Sequence, residues 1–194
     1  VAVPPEELHE TIRRFRSEGY AGWNVTVPHK EKVADCLDRV DPDARKAGSV
    51  NTVLNRGGEL TGTSTDGYGL TAALEESFGI AAAGMRFAFV GAGGAARATA
   101  AALAAAGAAE VVLINRTLSK AQRIARLIGE TKASCQARCF EPNDASRVRE
   151  ALEHIDVLIQ ATSLGLAPDI DPLPLKPELI PHGPAVMDMI YRRT

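Results

Sequence analysis

The chain has 194 residues, 45% of them hydrophobic and 24% charged, enough for one large packed domain or two small ones. A net charge of −2 gives no electrostatic case for nucleic acid or an anionic membrane surface. No apolar run reaches bilayer length, since the alanine-rich stretch is interrupted by Arg97, Thr99 and Gly107.

The first residues, VAVPPEELHE, have neither the basic nor the apolar region of a signal peptide. From Pro5 to Arg16, the spacing of Leu8, Ile12 and Phe15 predicts a helix closed by Gly19. Trp23, Val25 and Val27 alternate with Asn24 and Thr26, which predicts a half-buried strand over 22–27. Pro28 ends that strand and suits the first turn of a helix. Val33, Leu37 and Val40 continue as an apolar stripe, so a helix is expected from Pro28 to about Arg39. Lys30 then falls at a strand-to-helix switch, where α/β folds place ligands. A strand over Ser49–Leu54, a turn at Asn55-Arg56-Gly57-Gly58 and a return strand over Glu59–Thr63 follow. Asp66 precedes a helix carrying Leu70, Leu74 and Phe78.

The chain divides near Gly79–Gly84, where IAAAG reads as a hinge. Residues 1–80 are expected to form a smaller α/β domain, and residues 81–194 a Rossmann-type parallel-sheet domain. In the second part, strands are predicted at Arg86–Val90, Glu110–Ile114, Ser134–Phe140, Asp156–Gln160 and Ala185–Met189. Helices are predicted at Ala95–Ala106 and Ser119–Ile128. Strands separated by helices mean a parallel sheet. The three cysteines, Cys36, Cys135 and Cys139, carry neither a disulfide pattern nor a completed metal set. They read as packed thiols in a reducing cytoplasm, with no metal expected.

FAFVGAGGAARA runs out of a strand into a helix, and Gly91, Gly93 and Ala96 fit the GxGxx(G/A) dinucleotide pattern. Gly91, Ala92, Gly93, Gly94 and Ala95 are the candidate phosphate loop, with the free N–H groups of a helix start behind it. NAD-binding domains tend to carry an acidic residue roughly 20 residues further on, to hold the ribose 2′-hydroxyl. Here the strand VVLI runs into Asn115, Arg116 and Thr117, with Lys120 beyond. Cations and a hydroxyl suit a 2′-phosphate, so NADP is expected rather than NAD. A dinucleotide in one domain leaves substrate and proton relay to the other. Lys30, in the first turn of its expected helix, would have its charged form disfavoured by the helix dipole, and Asp66 is its candidate partner. Taken singly, Lys30 also reads as an exposed helix lysine, Asp66 as an N-cap, and His29 as a capping or packing residue.

NVTVPHK, GSVNTV, STDGYG, VGAGGAARA, NRT, ATSLG and MDMIY, in this order, resemble the shikimate dehydrogenase family. The resemblance covers nearly the whole chain. It implies reversible NADPH-dependent reduction of 3-dehydroshikimate to shikimate, in aromatic amino-acid biosynthesis, on a substrate domain and a Rossmann domain. It makes Lys30 the catalytic lysine and Asp66 its carboxylate partner. It places Thr26, Asn51 and Tyr191 at the substrate, and Thr162 and Met189 on the cofactor side with the glycine loop and Asn115–Lys120. Gln160 stands where the family has asparagine.

The resemblance also implies that the chain is truncated at both ends, lacking an opening strand and serine-bearing loop and a set of closing helices. Reduced stability, an oligomeric partner such as a homodimer, or a place within a longer protein are the corresponding expectations. Two other readings stay open: a quinate/shikimate dehydrogenase paralogue, and a non-catalytic NADP-binding fragment.

Overall fold

The computed structural model describes residues 1–165 and 175–190. Two compact units emerge, Val1–Asp66 and Gly67–Thr194. In the first, a 3₁₀ turn at Pro5–Glu7 leads into α1, Leu8–Ser17, whose Leu8 and Ile12 are buried. Strands β1 (Gly22–Asn24), β2 (Arg39–Val40), β3 (Thr52–Arg56) and β4 (Glu59–Thr63) form a sheet in the order β1-β3-β4-β2. Only β2 and β4 run parallel. Gly57 and Gly58, with φ of 61° and 92°, make the two-residue hairpin turn, whose backbone twist needs positive φ at both positions. The turn therefore sits one residue later than the spacing suggested, and Asn55 Oδ1 holds it by accepting from the Gly58 N–H at 2.9 Å.

The expected helix from Pro28 to Arg39 is absent. That segment is a run of turns ending in a 3₁₀ helix, Val33–Cys36, followed by β2. Competing backbone bonds explain the difference. The Lys30 carbonyl accepts from Val50 N–H at 2.8 Å rather than from an i+4 amide. Arg39 and Val40 are drawn into register with Thr61 and Gly62. Val33, Leu37 and Val40 still reach the core, which is the pattern that mimicked a helix. The preceding strand is also shorter than predicted: β1 stops at Asn24, and Val27 is 56% exposed. An unforeseen helix, α2, spans Pro42–Ala47. Its signals are local: Asp41 caps it by accepting from Ala44 N–H at 2.7 Å, Pro42 opens it, and Gly48 closes it at φ 59°.

The second unit takes in α3 (Asp66–Phe78) from Gly67 onward. β5 (Arg86–Val90), α4 (Gly94–Ala105), β6 (Glu110–Ile114) and α5 (Leu118–Thr131) follow. Then come β7 (Gln136–Phe140), α6 (Ala145–Leu152), β8 (Val157–Gln160) and β9 (Ala185–Asp188). The five strands are all parallel, in the order β7-β6-β5-β8-β9. Alternate residues of each strand face opposite layers. Phe87, Phe89, Val111 and Leu113 pack with Leu70, Leu74, Leu103 and Ile124, while Ala88, Val90, Val112 and Ile114 pack with Val148, Leu152 and Ile155. The central strands β5, β6 and β8 are covered on both faces, which is why they read as near-continuous apolar runs, whereas the edge strands β7 and β9 are only partly buried.

The Gly79–Gly84 segment is an internal connection of this unit. Gly84 N–H bonds the Gly107 carbonyl at 2.9 Å, and Ile80, Ala82 and Met85 pack on the core. The boundary between units lies before α3 because Leu70 and Leu74 join the second core. Cys135 is buried and Cys139 half-buried, and burial raises both thiols above their ordinary range. Among the described residues, no helix is long and apolar enough to cross a membrane.

Candidate functional site

In the first unit, two of the side chains singled out in the sequence, Lys30 and Asn51, converge on the carboxylate of a third, Asp66. Lys30 Nζ donates to Asp66 Oδ2 at 2.7 Å, and both side chains are only 14% exposed. Asn51 Nδ2 donates to the other oxygen, Asp66 Oδ1, at 2.8 Å. Asp66 thus spends both oxygens on side chains brought from distant parts of the chain, rather than on capping α3. Lys30 is held by turns on either side and by its carbonyl bond to Val50, not by a helix, so no dipole of a surrounding helix acts on its charge.

Asn51 sits immediately before β3. Its N–H donates to the Thr63 carbonyl at 3.1 Å and its carbonyl accepts from Val25 N–H at 2.7 Å, so its backbone is tied on both sides. Its side-chain Oδ1 accepts from Thr65 N–H at 3.0 Å and from the Thr52 hydroxyl at 2.9 Å. Thr65 and Thr52 were not foreseen as parts of this cluster. Their signal was adjacency to Asp66 and Asn51 within STDG and VNTV, but adjacency does not say which way a side chain turns.

Thr26 is exposed just beyond β1. Its hydroxyl makes no hydrogen bond among the described residues, while its carbonyl accepts from His29 N–H at 2.9 Å. His29 Nε2 lies 2.7 Å from the Val3 carbonyl and must carry the proton there, since a carbonyl only accepts. This gives His29 an anchoring place away from the Lys30–Asp66 pair.

In the second unit, the glycine loop joins β5 to α4 at the point where strand order reverses between β6 and β8. Gly91 has φ 111°, and a Cβ there would lie 2.8 Å from the Ala161 carbonyl group and 2.9 Å from Thr162 N. The demand for glycine comes from this close backbone approach. At Gly93, a Cβ would meet no atom within 4 Å. Gly93 is the N-cap of α4, no side chain caps that helix, and its first turn holds no acid. Gly94 and Ala95 open the helix, Ala92 is buried beneath the loop, and Ala96 is fully buried against the sheet. The N–H groups of such a first turn, with the positive end of the helix dipole, suit a phosphate.

Beyond β6, Asn115 Nδ2 donates to the Thr117 carbonyl at 2.8 Å and shapes the turn. Arg116, Thr117 and Lys120 are exposed, and among the described residues neither cation has an ion-pair partner. The Ala161–Leu164 loop is organised by Gln160. Its Oε1 accepts from Thr162 N–H at 2.7 Å and its Nε2 donates to the Leu164 carbonyl at 3.2 Å. Thr162 Oγ1 accepts in turn from Leu164 N–H at 3.1 Å. Met189 is half-buried against the core, with its N–H on the Gln160 carbonyl at 3.0 Å. Tyr191 lies outside the described residues.

The chain is similar to known proteins along nearly its whole length. The family model for the shikimate dehydrogenase substrate binding domain matches residues 1–53, and that for shikimate / quinate 5-dehydrogenase matches residues 73–166. The shikimate dehydrogenase (NADP(+)) of Symbiobacterium thermophilum is 41% identical over 98% of this chain and 64% of its own length. The crystal structure of shikimate 5-dehydrogenase from Listeria monocytogenes, in complex with shikimate and NAD, superposes with a TM-score of 0.82 at 31% identity, covering 98% of this chain and 67% of that one. The enzyme from Thermus thermophilus, in complex with NADP(H) and shikimate, gives 0.77 at 36% identity, over 98% and 66%. This chain therefore spans just under two thirds of the S. thermophilum relative. With the motifs, the two-unit fold and these relatives in agreement, the chain belongs to the shikimate dehydrogenase family.

Proposed function

We propose that this chain serves the reversible, NADP-dependent interconversion of 3-dehydroshikimate and shikimate. Its first unit would handle the substrate and its second the nucleotide. The observation that carries the reading is the Lys30–Asp66 pair at 2.7 Å, shielded from solvent and tied to Asn51. When bound, the nicotinamide supplies or accepts the hydride. In the reducing direction, Lys30 stands at the carbonyl oxygen and gives up a proton as that oxygen gains charge; in the oxidising direction its amine takes the hydroxyl proton back. Asp66 holds the ammonium in place and stabilises its charge. Thr26 and Asn51 offer short polar groups to ring hydroxyls, and Tyr191 is a further candidate for contact with the substrate.

The N–H groups from Gly93 to Ala95 would take the pyrophosphate, since no side chain competes for them and space is open at Gly93. Arg116, Thr117 and Lys120 fit a 2′-phosphate, because they present two cations and a hydroxyl with no carboxylate where a 2′-hydroxyl would need one. Thr162 and Met189, fixed by Gln160, would border the nicotinamide. The three free thiols support a reducing, cytoplasmic setting, and a homodimer is the assembly to test by sedimentation.

The test is shikimate-dependent reduction of NADP, followed by absorbance, with quinate and NAD as competitors. Turnover on shikimate with NADP that disappears in Lys30→Ala is expected. Equal rates on quinate would move the substrate assignment, and NADP binding without turnover would reduce the reading to a nucleotide-binding unit.

A further inference from the structure

We infer that Thr52 is a positioning residue for the Lys30–Asp66 pair, acting through the side-chain amide of Asn51; the inference rests on the reaction proposed above. Three hydrogen bonds run head to tail toward the carboxylate. Asn24 Nδ2 donates to Thr52 Oγ1 at 3.3 Å, Thr52 Oγ1 donates to Asn51 Oδ1 at 2.9 Å, and Asn51 Nδ2 donates to Asp66 Oδ1 at 2.8 Å. The sheet itself assembles the chain, because Asn24 and Thr52 are cross-strand partners in the β1–β3 register.

Direction along the chain is forced. Thr65 N–H can only donate, so the Asn51 atom 3.0 Å from it must be the oxygen, and the amide nitrogen then faces Asp66. The Thr52 hydroxyl has one proton. With Asn24 donating to its oxygen, that proton goes to Asn51 Oδ1. Asn51 Oδ1 therefore accepts from the Thr52 hydroxyl and from Thr65 N–H, with the Thr65 hydroxyl further off at 3.4 Å. Asn51 Nδ2 is divided between Asp66 and Thr65 Oγ1, at 2.8 and 3.0 Å, which exhausts the amide. Each donor polarises the next, strengthening the last bond onto the carboxylate. Without the Thr52 hydroxyl, the amide loses its donor on the β3 side, is anchored only through Thr65 and Asp66, and gains freedom to move its nitrogen off the carboxylate.

Thr52→Val removes the hydroxyl while keeping the shape and the strand preference. Thr52→Ser restores it, and Thr52→Ala provides a second deletion if valine disturbs the strand. Side-chain amide NMR of Asn51 in this chain reads the effect without turnover. We expect its two amide protons to be resolved and slowly exchanging in the wild type, to exchange roughly tenfold faster in Thr52→Val, and to recover in Thr52→Ser. Where turnover is measured, kcat should fall roughly three- to tenfold with KM for NADP unchanged, and Thr52→Ser should recover it. Unchanged Asn51 amide signals in both deletion variants would overturn the inference. Wild-type turnover in Lys30→Ala would instead overturn the reaction reading and leave the amide result to stand by itself.

Discussion

The two units place their chemistry in different parts of the polypeptide. In the first, the proposed function rests on side chains, with Lys30, Asn51 and Asp66 brought from a turn, a strand start and a helix start into one hydrogen-bonded cluster. In the second, it resides mainly in backbone: a positive-φ glycine, an uncapped helix start and a loop held by Gln160. A side-chain cluster depends on pairings across the sheet, such as Asn24 with Thr52, and a single exchange can disable it while the fold stands. A backbone site is part of the fold, so some of its positions cannot change without cost to stability.

Predictions test that division, from the largest effect down. Lys30→Ala should lower shikimate turnover by roughly 10²- to 10⁴-fold, the usual worth of general acid–base catalysis, while NADP affinity by calorimetry stays unchanged. If NADP binding fell with it, the two regions would not be chemically separate. Gly91→Ala should destabilise the second unit by about 3 kcal/mol or more in urea unfolding, combining left-handed backbone strain with a clash on the 161–162 backbone. Gly93→Ala should cost less than about 1 kcal/mol of stability, as a weaker N-cap, yet weaken NADP binding by filling the open space where the pyrophosphate would sit. Arg116→Ala should weaken NADP about tenfold or more and leave NAD and the melting temperature unchanged, as loss of a charge-assisted contact predicts.

The smallest effect is one of pH. The Leu60 N–H at 2.7 Å, helped by Arg16 at 2.8 Å, holds the Asp38 carboxyl below the usual carboxylate range against the opposing effect of burial. A depressed folded pKa contributes stability above the unfolded value, and that contribution is lost as pH falls through the folded value. Wild type should therefore exceed Asp38→Asn in thermal stability at pH 7, and the gap should close as the solution is acidified into and below the carboxylate range. A gap independent of pH would show that Asp38 acts through shape rather than charge.

Legibility followed the same division. The parallel sheet was readable because a strand buried on both faces is a continuous apolar run, and β5 and β6 were bounded to the residue. The first unit was read less well around Lys30. Val33, Leu37 and Val40 reach one core from a 3₁₀ turn and a short strand, a spacing that a helix would share. The hinge assigned to Gly79–Gly84 failed for a related reason: small residues mark a flexible link only when nothing packs on them, and here Ile80, Ala82 and Met85 join the core.

By itself, the sequence determined the five strands of the second unit and the helices α3, α4 and α5, though not α6, together with the glycine loop, the cations after VVLI, and the residue types that the proposed proton relay uses. These are properties of neighbours along the chain, where periodicity, turn chemistry and strand-to-helix junctions act over a few residues. Tertiary structure alone decided that Lys30 meets Asp66 across 36 positions, that Asn51 is saturated by Thr52, Thr65 and Asp66, and that Gly91 answers to the backbone of Ala161. Such contacts depend on strand register and on which competing backbone bond wins, and those are settled only when distant segments pack together.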